Sequence, residues 1–179
     1  GDLGRGRDGR GSAVPFVDGL ITDKPGVCLV LMSADCPLLW VYDADRPGVG
    51  GVHASWRGTV AGAAENLVAQ MQRVFGSDPE AMLAGIAPSA GPCCFEVGEE
   101  VRRIAEGKLS RADECFSIRN GKLTFDLWTA NRRQLVEAGV PKANIEVAGI
   151  CTICNEQFWS YRRDGAETGR SALLIGLRE

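Results

Sequence analysis

Two residues with metal-binding and nucleophilic chemistry stand at the ends of two apolar runs in this sequence. Cys36 closes the first run, within residues 33–37, and His53, the single histidine among 179 residues, closes the glycine-rich run 48–52. A thiol and an imidazole at two strand ends form half of a zinc site, or a nucleophile paired with its base. The alternative is a buried cysteine and a histidine that is hydrogen-bonded in the core.

Two charged residues lie close to this pair in the sequence. Arg57 precedes a predicted helix that starts near Thr59, and a guanidinium beside helix-end amides can hold an anion such as phosphate. A solvated surface arginine is equally consistent with the pattern. Asp35, next to Cys36, either orients a ligand or caps a turn.

Seven cysteines are present. Cys28 and Cys36 belong to the predicted strand and the loop discussed above, and the other five are Cys93, Cys94, Cys115, Cys151 and Cys154. Cys151-Thr152-Ile153-Cys154 supplies only two of the four ligands of a closed zinc site, and we interpret it as ordinary packing or loop cysteines. Cys93-Cys94 follows Gly91-Pro92 and is either a structural turn or a loop whose amides face a ligand. An odd number of cysteines with two adjacent does not resemble a secreted disulfide framework, so we expect a reducing cytoplasm.

A mixed set of strands and helices must position these residues. Apolar runs predict strands over 27–32, 38–42 and 49–53, and the continuous run 27–32 is typical of a strand buried on both faces. Apolar spacing of three and four predicts a helix over 59–75, and a shorter run predicts a strand over 145–150. Asn120-Gly121 between two short apolar runs predicts a β-hairpin. This mixture favours an α+β or mixed α/β sandwich over regular βαβ repeats.

Composition narrows the function classes further. The chain is 45% hydrophobic, enough for one core, and its net charge of −3 gives no reason to expect a nucleic-acid partner. No apolar stretch approaches the roughly 20 residues that cross a membrane. We expect residues 1–15, which are polar and glycine-rich, to be a flexible segment, and residues 16–179 to form one domain.

Four groups of residues occur together in a recognisable order. They are Ala34-Asp35-Cys36-Pro37, then His53-Ala54-Ser55-Trp56-Arg57-Gly58-Thr59, then Gly91-Pro92-Cys93-Cys94-Phe95-Glu96-Val97-Gly98, and a tail with Asp126-Leu127-Trp128, Cys151-Thr152, Phe158-Trp159-Ser160-Tyr161-Arg162-Arg163-Asp164-Gly165 and Gly169-Arg170. From about Asp18 to the C-terminus, the chain resembles the YfiH, or laccase-domain, family.

The resemblance implies a four-layer α+β sandwich, with helices outside two packed mixed sheets. It also implies a zinc-dependent purine nucleoside phosphorylase that acts on adenosine, inosine and methylthioadenosine with phosphate, and that deaminates adenosine. The family holds its metal with one cysteine and two histidines, and Cys36 and His53 match the cysteine and the second histidine. Arg57 would then hold the phosphate. Copper is a possible second metal.

Two positions depart from the family pattern. The first histidine of the family, with its preceding strands, would fall at or before Gly1, and Ser55 stands where the family has glycine. Three other functions stay open from the residues. One is a non-catalytic binding domain, which is favoured only if the native protein lacks the N-terminal ligand. Cys36 and His53 could form a metal-free hydrolase or amidase of the peptidoglycan-editing type, and a copper phenol oxidase is the third candidate, disfavoured by the single histidine.

Overall fold

The computed structural model describes residue 14 and residues 16–178, so nearly all of the predicted flexible segment 1–15 lies outside the described residues. The strands are β1 (Gly19–Thr22), β2 (Cys28–Ser33), β3 (Leu38–Asp43), β4 (Gly48–His53), β5 (Met82–Ile86), β6 (Phe116–Arg119), β7 (Lys122–Phe125), β8 (Ile145–Val147) and β9 (Ser171–Gly176). The helices are α1 (Trp56–Val60), α2 (Ala63–Phe75), α3 (Glu99–Glu106), α4 (Leu127–Glu137) and α5 (Tyr161–Asp164). Within this described part, no helix has the length and apolarity that a membrane span requires.

A five-stranded mixed sheet forms the centre of the fold, with the strand order β1-β4-β3-β5-β8. Its neighbouring strands are antiparallel except for β5 and β8, which run parallel. Helices α2 and α4 cover one face, where Met71 and Leu135 are buried in one cluster with Leu39. The β2–β9 pair packs on the other face through a second cluster that includes Leu31 and Val49. The predicted mixture of strands and helices is confirmed.

Two glycines of β4 allow the layers on both sides to approach the sheet closely. A Cβ atom at Gly50 would lie 2.8 Å from Cδ1 of Leu67 on α2, and one at Gly51 would lie 2.8 Å from Cδ1 of Leu31 on β2. Because a close-packed interior has no room for such contacts, larger residues would push the neighbouring layers away. The glycine-rich run before His53 therefore holds the end of β4 between a helix and a strand.

Two predicted elements differ from the structure. The helix predicted over 59–75 is divided into α1 and α2, because Gly62 takes a left-handed conformation (φ 81°) that interrupts the helical backbone. The strand predicted over 27–32 is β2, but its side chains alternate between exposed and buried instead of being buried on both faces. Val30 and Met32 point outward and are exposed, because no element in the described part of the chain covers that face.

The hairpin predicted at Asn120-Gly121 is confirmed as β6 and β7. Both turn residues have positive φ (51° and 75°), which a two-residue type I′ turn requires. The strand predicted over 145–150 is shorter than expected: β8 ends at Val147, and Gly149 (φ 65°) turns the chain towards Cys151. Since β5 and β8 are parallel neighbours, the loops that follow them leave the same edge of the sheet.

Candidate functional site

One edge of the central sheet gathers the segments that carry candidate chemistry. Leu38 at the start of β3 lies opposite His53 at the end of β4, and the backbone N–H of Ala54 donates to the carbonyl of Pro37 over 2.8 Å. Cys36 directly precedes this pairing. Strands β5 and β8 end at the same edge, so their following loops also reach the site.

Cys36 and His53 line one pocket of about 320 Å³, which lies within the usual volume of a small-molecule site. Its other lining residues come from the end of β2, α1, the loop after β5, α4 and the C-terminal segment: Met32, Ser33, Ala34, Asp35, Trp56, Phe95, Leu127, Tyr161, Arg162 and Arg170. The thiol and the imidazole predicted from sequence therefore share a cavity that also contains aromatic and cationic side chains.

The surroundings of Cys36 favour its neutral thiol. Burial and the neighbouring Asp35 carboxylate raise the pKa of Cys36 above its ordinary value of 9.0. His53 is half-buried, its backbone N–H donates to the carbonyl of Asp18 over 2.7 Å, and its Nδ1 lies 3.7 Å from the Asp18 carboxylate. A thiolate at Cys36 therefore needs a nearby positive charge, either a protonated imidazole or a metal cation.

Asp35 fixes the segment that carries Cys36. It is buried, has an unusual positive φ of 85°, and accepts hydrogen bonds from the Thr152 hydroxyl (2.7 Å) and the Arg162 backbone N–H (2.6 Å). Its own carbonyl accepts from the N–H of Ala90 over 2.7 Å. A non-glycine residue keeps such a backbone conformation only where its surroundings enforce it. Asp35 thus joins the loops after β2, β5 and β8 and orients its neighbour Cys36.

The arginines of the C-terminal motif have separate roles. The Arg162 guanidinium lies 5.2 Å from the centre of the Phe95 ring and donates to the carbonyl of Glu96 over 3.0 Å, so its charge is held at the pocket wall. Arg170 also lines the pocket. Arg163 instead donates to loop carbonyls, including those of Thr152 and Phe158, and supports the loop after β8. From the sequence, only the family resemblance indicated that these arginines belong to the site.

Arg57 lies on α1, beside the pocket, and Ser55 directly precedes this helix. Arg57 is exposed, is not among the lining residues, and stacks its guanidinium 4.3 Å from the centre of the Trp56 ring, which does line the pocket. Ser55 is the N-cap of α1, and its hydroxyl accepts from the backbone N–H of Gly58 over 3.1 Å. The serine that replaces the family glycine therefore stabilises the start of a helix.

The cysteines interpreted as separate loop residues meet in one cluster. The Sγ atoms of Cys93, Cys94, Cys151 and Cys154 all lie within 4.8 Å of one another, and this set could hold a metal ion. The sulfurs of Cys93 and Cys154 are 3.8 Å apart. The cluster was not predicted from sequence, because it forms only through the parallel pairing of β5 and β8, whose following loops meet.

The sulfurs of this cluster differ in their surroundings. Burial raises the pKa of Cys94 to about 11. Burial acts in the same direction on Cys151, but backbone N–H groups of Cys154, Gly91 and Ile153 point at its sulfur, and the pKa of Cys151 is lowered. The Gly91 N–H donates to this sulfur over 3.2 Å. Burial thus favours the thiol of Cys94, whereas the surrounding backbone amides favour the thiolate of Cys151.

A family model and several known proteins match the sequence of this chain. The family described as "Multi-copper polyphenol oxidoreductase laccase" matches residues 4–178. The chain belongs to this family. A family member called purine nucleoside phosphorylase, from Bacteroides thetaiotaomicron, is 42% identical over 165 residues, which cover 90% of this chain and 60% of that protein. Another, called adenosine deaminase RL5, from an unknown prokaryotic organism, is 36% identical over 168 residues, covering 92% of this chain and 63% of that protein.

A solved structure of the family shares the fold. The crystal structure of YlmD from Geobacillus stearothermophilus matches with a TM-score of 0.91 at 39% identity, covering 99% of this chain and 67% of that one. The resemblance to the YfiH family is thereby confirmed, as is a mixed α+β fold with mixed sheets. The chain spans less than two thirds of the length of the relatives called purine nucleoside phosphorylase. It covers 60% of the Bacteroides thetaiotaomicron protein and 66% of the one called YlmD from Geobacillus stearothermophilus.

Proposed function

We propose that the protein containing this chain is a purine nucleoside phosphorylase that acts on adenosine, inosine and methylthioadenosine and that also deaminates adenosine. The observation that carries the proposal is the pocket in which Cys36 and His53 lie with Arg162. The names of two relatives, purine nucleoside phosphorylase and adenosine deaminase, support both activities. The volume of the pocket and its aromatic and cationic lining suit a nucleoside with an anion.

Cys36 and His53 fit as two ligands of a zinc ion. Zinc in catalytic sites takes cysteine and histidine among three protein ligands and keeps one position open. We expect the third ligand to be the family's first histidine, which would fall at or before Gly1. A cation also offsets the burial and the Asp35 charge that keep the Cys36 thiol neutral. When bound, zinc would supply Lewis acidity at the pocket; copper is the second candidate, since it accepts the same ligand types.

The residues around Cys36 and His53 can bind the two substrates, the nucleoside and phosphate. Phe95, Trp56 and Tyr161 line the pocket and offer flat surfaces for a purine. Arg162, held against Phe95 and the Glu96 carbonyl, presents a fixed guanidinium for phosphate. Arg57, stacked on the Trp56 ring, is the second candidate for this contact.

The competing functions make different demands on Cys36. A metal-free hydrolase needs its thiolate as nucleophile, but burial and Asp35 disfavour that form unless His53 takes the proton. A laccase needs several copper ions and a large set of histidine ligands, to which this chain contributes His53 alone. The surroundings of Cys36 support a metal ligand at this position over a metal-free nucleophile.

The experiment uses the complete protein with each nucleoside, in the presence and absence of phosphate, and resolves the products by chromatography. We expect release of the free base only with phosphate, and conversion of adenosine to inosine without it. A peptidoglycan-derived amide and a phenol are tested in parallel. Amide hydrolysis that survives metal removal, with no release of base, would identify the hydrolase instead.

We also propose the four-layer arrangement for the domain that residues 16–179 contribute to. The described residues supply the layer of α2 and α4, the central sheet and the β2–β9 pair. Exposed Val30, Met32 and Leu174 on the outward face of that pair support a further covering layer. Cys28 lies on the same face, so a maleimide should label Cys28 more slowly in the complete protein than in residues 1–179 alone. Equal labelling rates would contradict the covering layer.

A further inference from the structure

We propose that Cys93, Cys94, Cys151 and Cys154 bind a structural zinc ion, separate from the Cys36–His53 pocket, that fastens the loop after β5 to the loop after β8. Four thiolates are a common ligand set for structural zinc. This proposal does not depend on the proposed enzymatic function, because none of the four cysteines lines the pocket that contains Cys36 and His53.

The geometry of the four sulfurs is close to that of a tetrahedral site. Sulfurs about 2.3 Å from a central zinc ion stand about 3.8 Å from one another. Cys93 Sγ and Cys154 Sγ are 3.8 Å apart, and all four sulfurs lie within 4.8 Å. Small side-chain rotations are therefore enough to bring the four sulfurs to one ion.

The backbone around the cluster is already held in place. Ser89 and Cys151 form a parallel bridge, in which the Ser89 N–H donates to the Ile150 carbonyl and the Thr152 N–H donates to the Ser89 carbonyl, both over 3.1 Å. The Gly91 N–H donates to the Cys151 sulfur. Amides directed at a sulfur stabilise its thiolate, the form that binds metal. The two loops thus present their cysteines from a fixed frame.

The consequence for the pocket follows from what the two loops carry. Phe95, directly after Cys94, lines the pocket, and Thr152, directly after Cys151, donates to Asp35. Asp35 in turn precedes Cys36. A metal at the cluster would therefore limit the movement of one pocket wall and of the segment that holds Cys36, without contacting a substrate.

A disulfide is the chemical alternative for the same cysteines. Oxidation of Cys93 and Cys154 would join the same two loops, with loss of two electrons to an oxidant, and would leave two thiols without a function. All seven cysteines are unpaired in the described structure. The two outcomes differ in metal content and in the number of free thiols, so one set of samples separates them.

The test measures zinc in the complete protein after loading and desalting, with every variant checked for folding by circular dichroism. The Cys36→Ala variant should keep about one zinc per chain, and X-ray absorption of this variant should show four sulfurs at about 2.3 Å. In that background, Cys154→Ser and Cys94→Ser should lose this ion. Cys28→Ser, outside the cluster, should keep it.

A rescue variant guards against a purely structural effect of the substitutions. Histidine also serves in structural zinc sites with three cysteines, so Cys154→His should retain zinc where Cys154→Ser does not. In the Cys36→Ala background, a chelator should lower the melting temperature of the parent variant and of Cys28→Ser, but not that of Cys154→Ser. Retention of the ion by folded Cys154→Ser and Cys94→Ser, or a Cys93–Cys154 disulfide in protein purified with reductant, would overturn the proposal.

Discussion

Replacing Thr152 with valine tests whether the loop after β8 holds Asp35 in place. Valine keeps the shape of the side chain and removes only the hydroxyl that donates to Asp35 Oδ1 over 2.7 Å. Thr152 and Asp35 are 2% and 8% exposed, so water cannot readily replace the lost donor. A hydrogen bond to a charged group contributes about 1.5–3 kcal/mol. We therefore expect Thr152→Val to lower the free energy of unfolding by about 1.5–3 kcal/mol.

Urea denaturation followed by circular dichroism measures this loss as a lower midpoint with an unchanged slope. Ser77→Ala is the control, since Ser77 is also buried but its hydroxyl has no hydrogen-bond partner among the described residues. Removing this buried, unpaired hydroxyl should leave the stability unchanged or raise it, because the cost of burying an unsatisfied polar group is lost. A wild-type midpoint for Thr152→Val, or an equal loss in Ser77→Ala, would refute the role given to the Thr152–Asp35 bond.

Three further changes test other parts of the structure. Gly50→Ala should cost about 1–3 kcal/mol by urea denaturation, because its Cβ would lie 2.8 Å from Leu67, whereas Gly58→Ala, with its nearest neighbours at 3.5 Å, should be tolerated. Burial raises the pKa of Cys115 from 9.0 to about 11, so stability should fall as pH rises through this range, and the fall should be smaller in Cys115→Ala. Arg162→Ala should raise the KM for phosphate about 10- to 100-fold, because a charge-assisted contact of about 1.5–3 kcal/mol is lost. A larger effect on deamination than on phosphorolysis would remove Arg162 from the phosphate site.

Local signals explain why much of the fold could be predicted from sequence. The hairpin depended on Asn120-Gly121, whose positive φ angles are a property of those two residues and their turn. Alternating or continuous apolar runs identified β3 and β4, including the strand end at His53. The division of the predicted helix was not foreseen, because the apolar spacing continues through Gly62 although its backbone is left-handed.

The parts of the site that sequence analysis missed depend on long-range pairing. Cys93 and Cys154 are 61 residues apart, and only the parallel pairing of β5 with β8 brings their loops together. The contact between Asp35 and Thr152 spans 117 residues and also requires the pairing of β3 with β5. Arg57 stays a candidate for the phosphate contact because it precedes a predicted helix, whereas the place of Arg162 in the pocket wall depends on the tertiary fold.

The most direct test of the central claim is nucleoside cleavage by the His53→Ala variant of the complete protein, compared with the Cys28→Ala control. Both variants are first shown by circular dichroism to be folded. If His53 and Cys36 form the reaction site, phosphate-dependent release of base from adenosine should be abolished in His53→Ala and preserved in Cys28→Ala. Turnover at the wild-type rate in a folded His53→Ala protein would contradict the account.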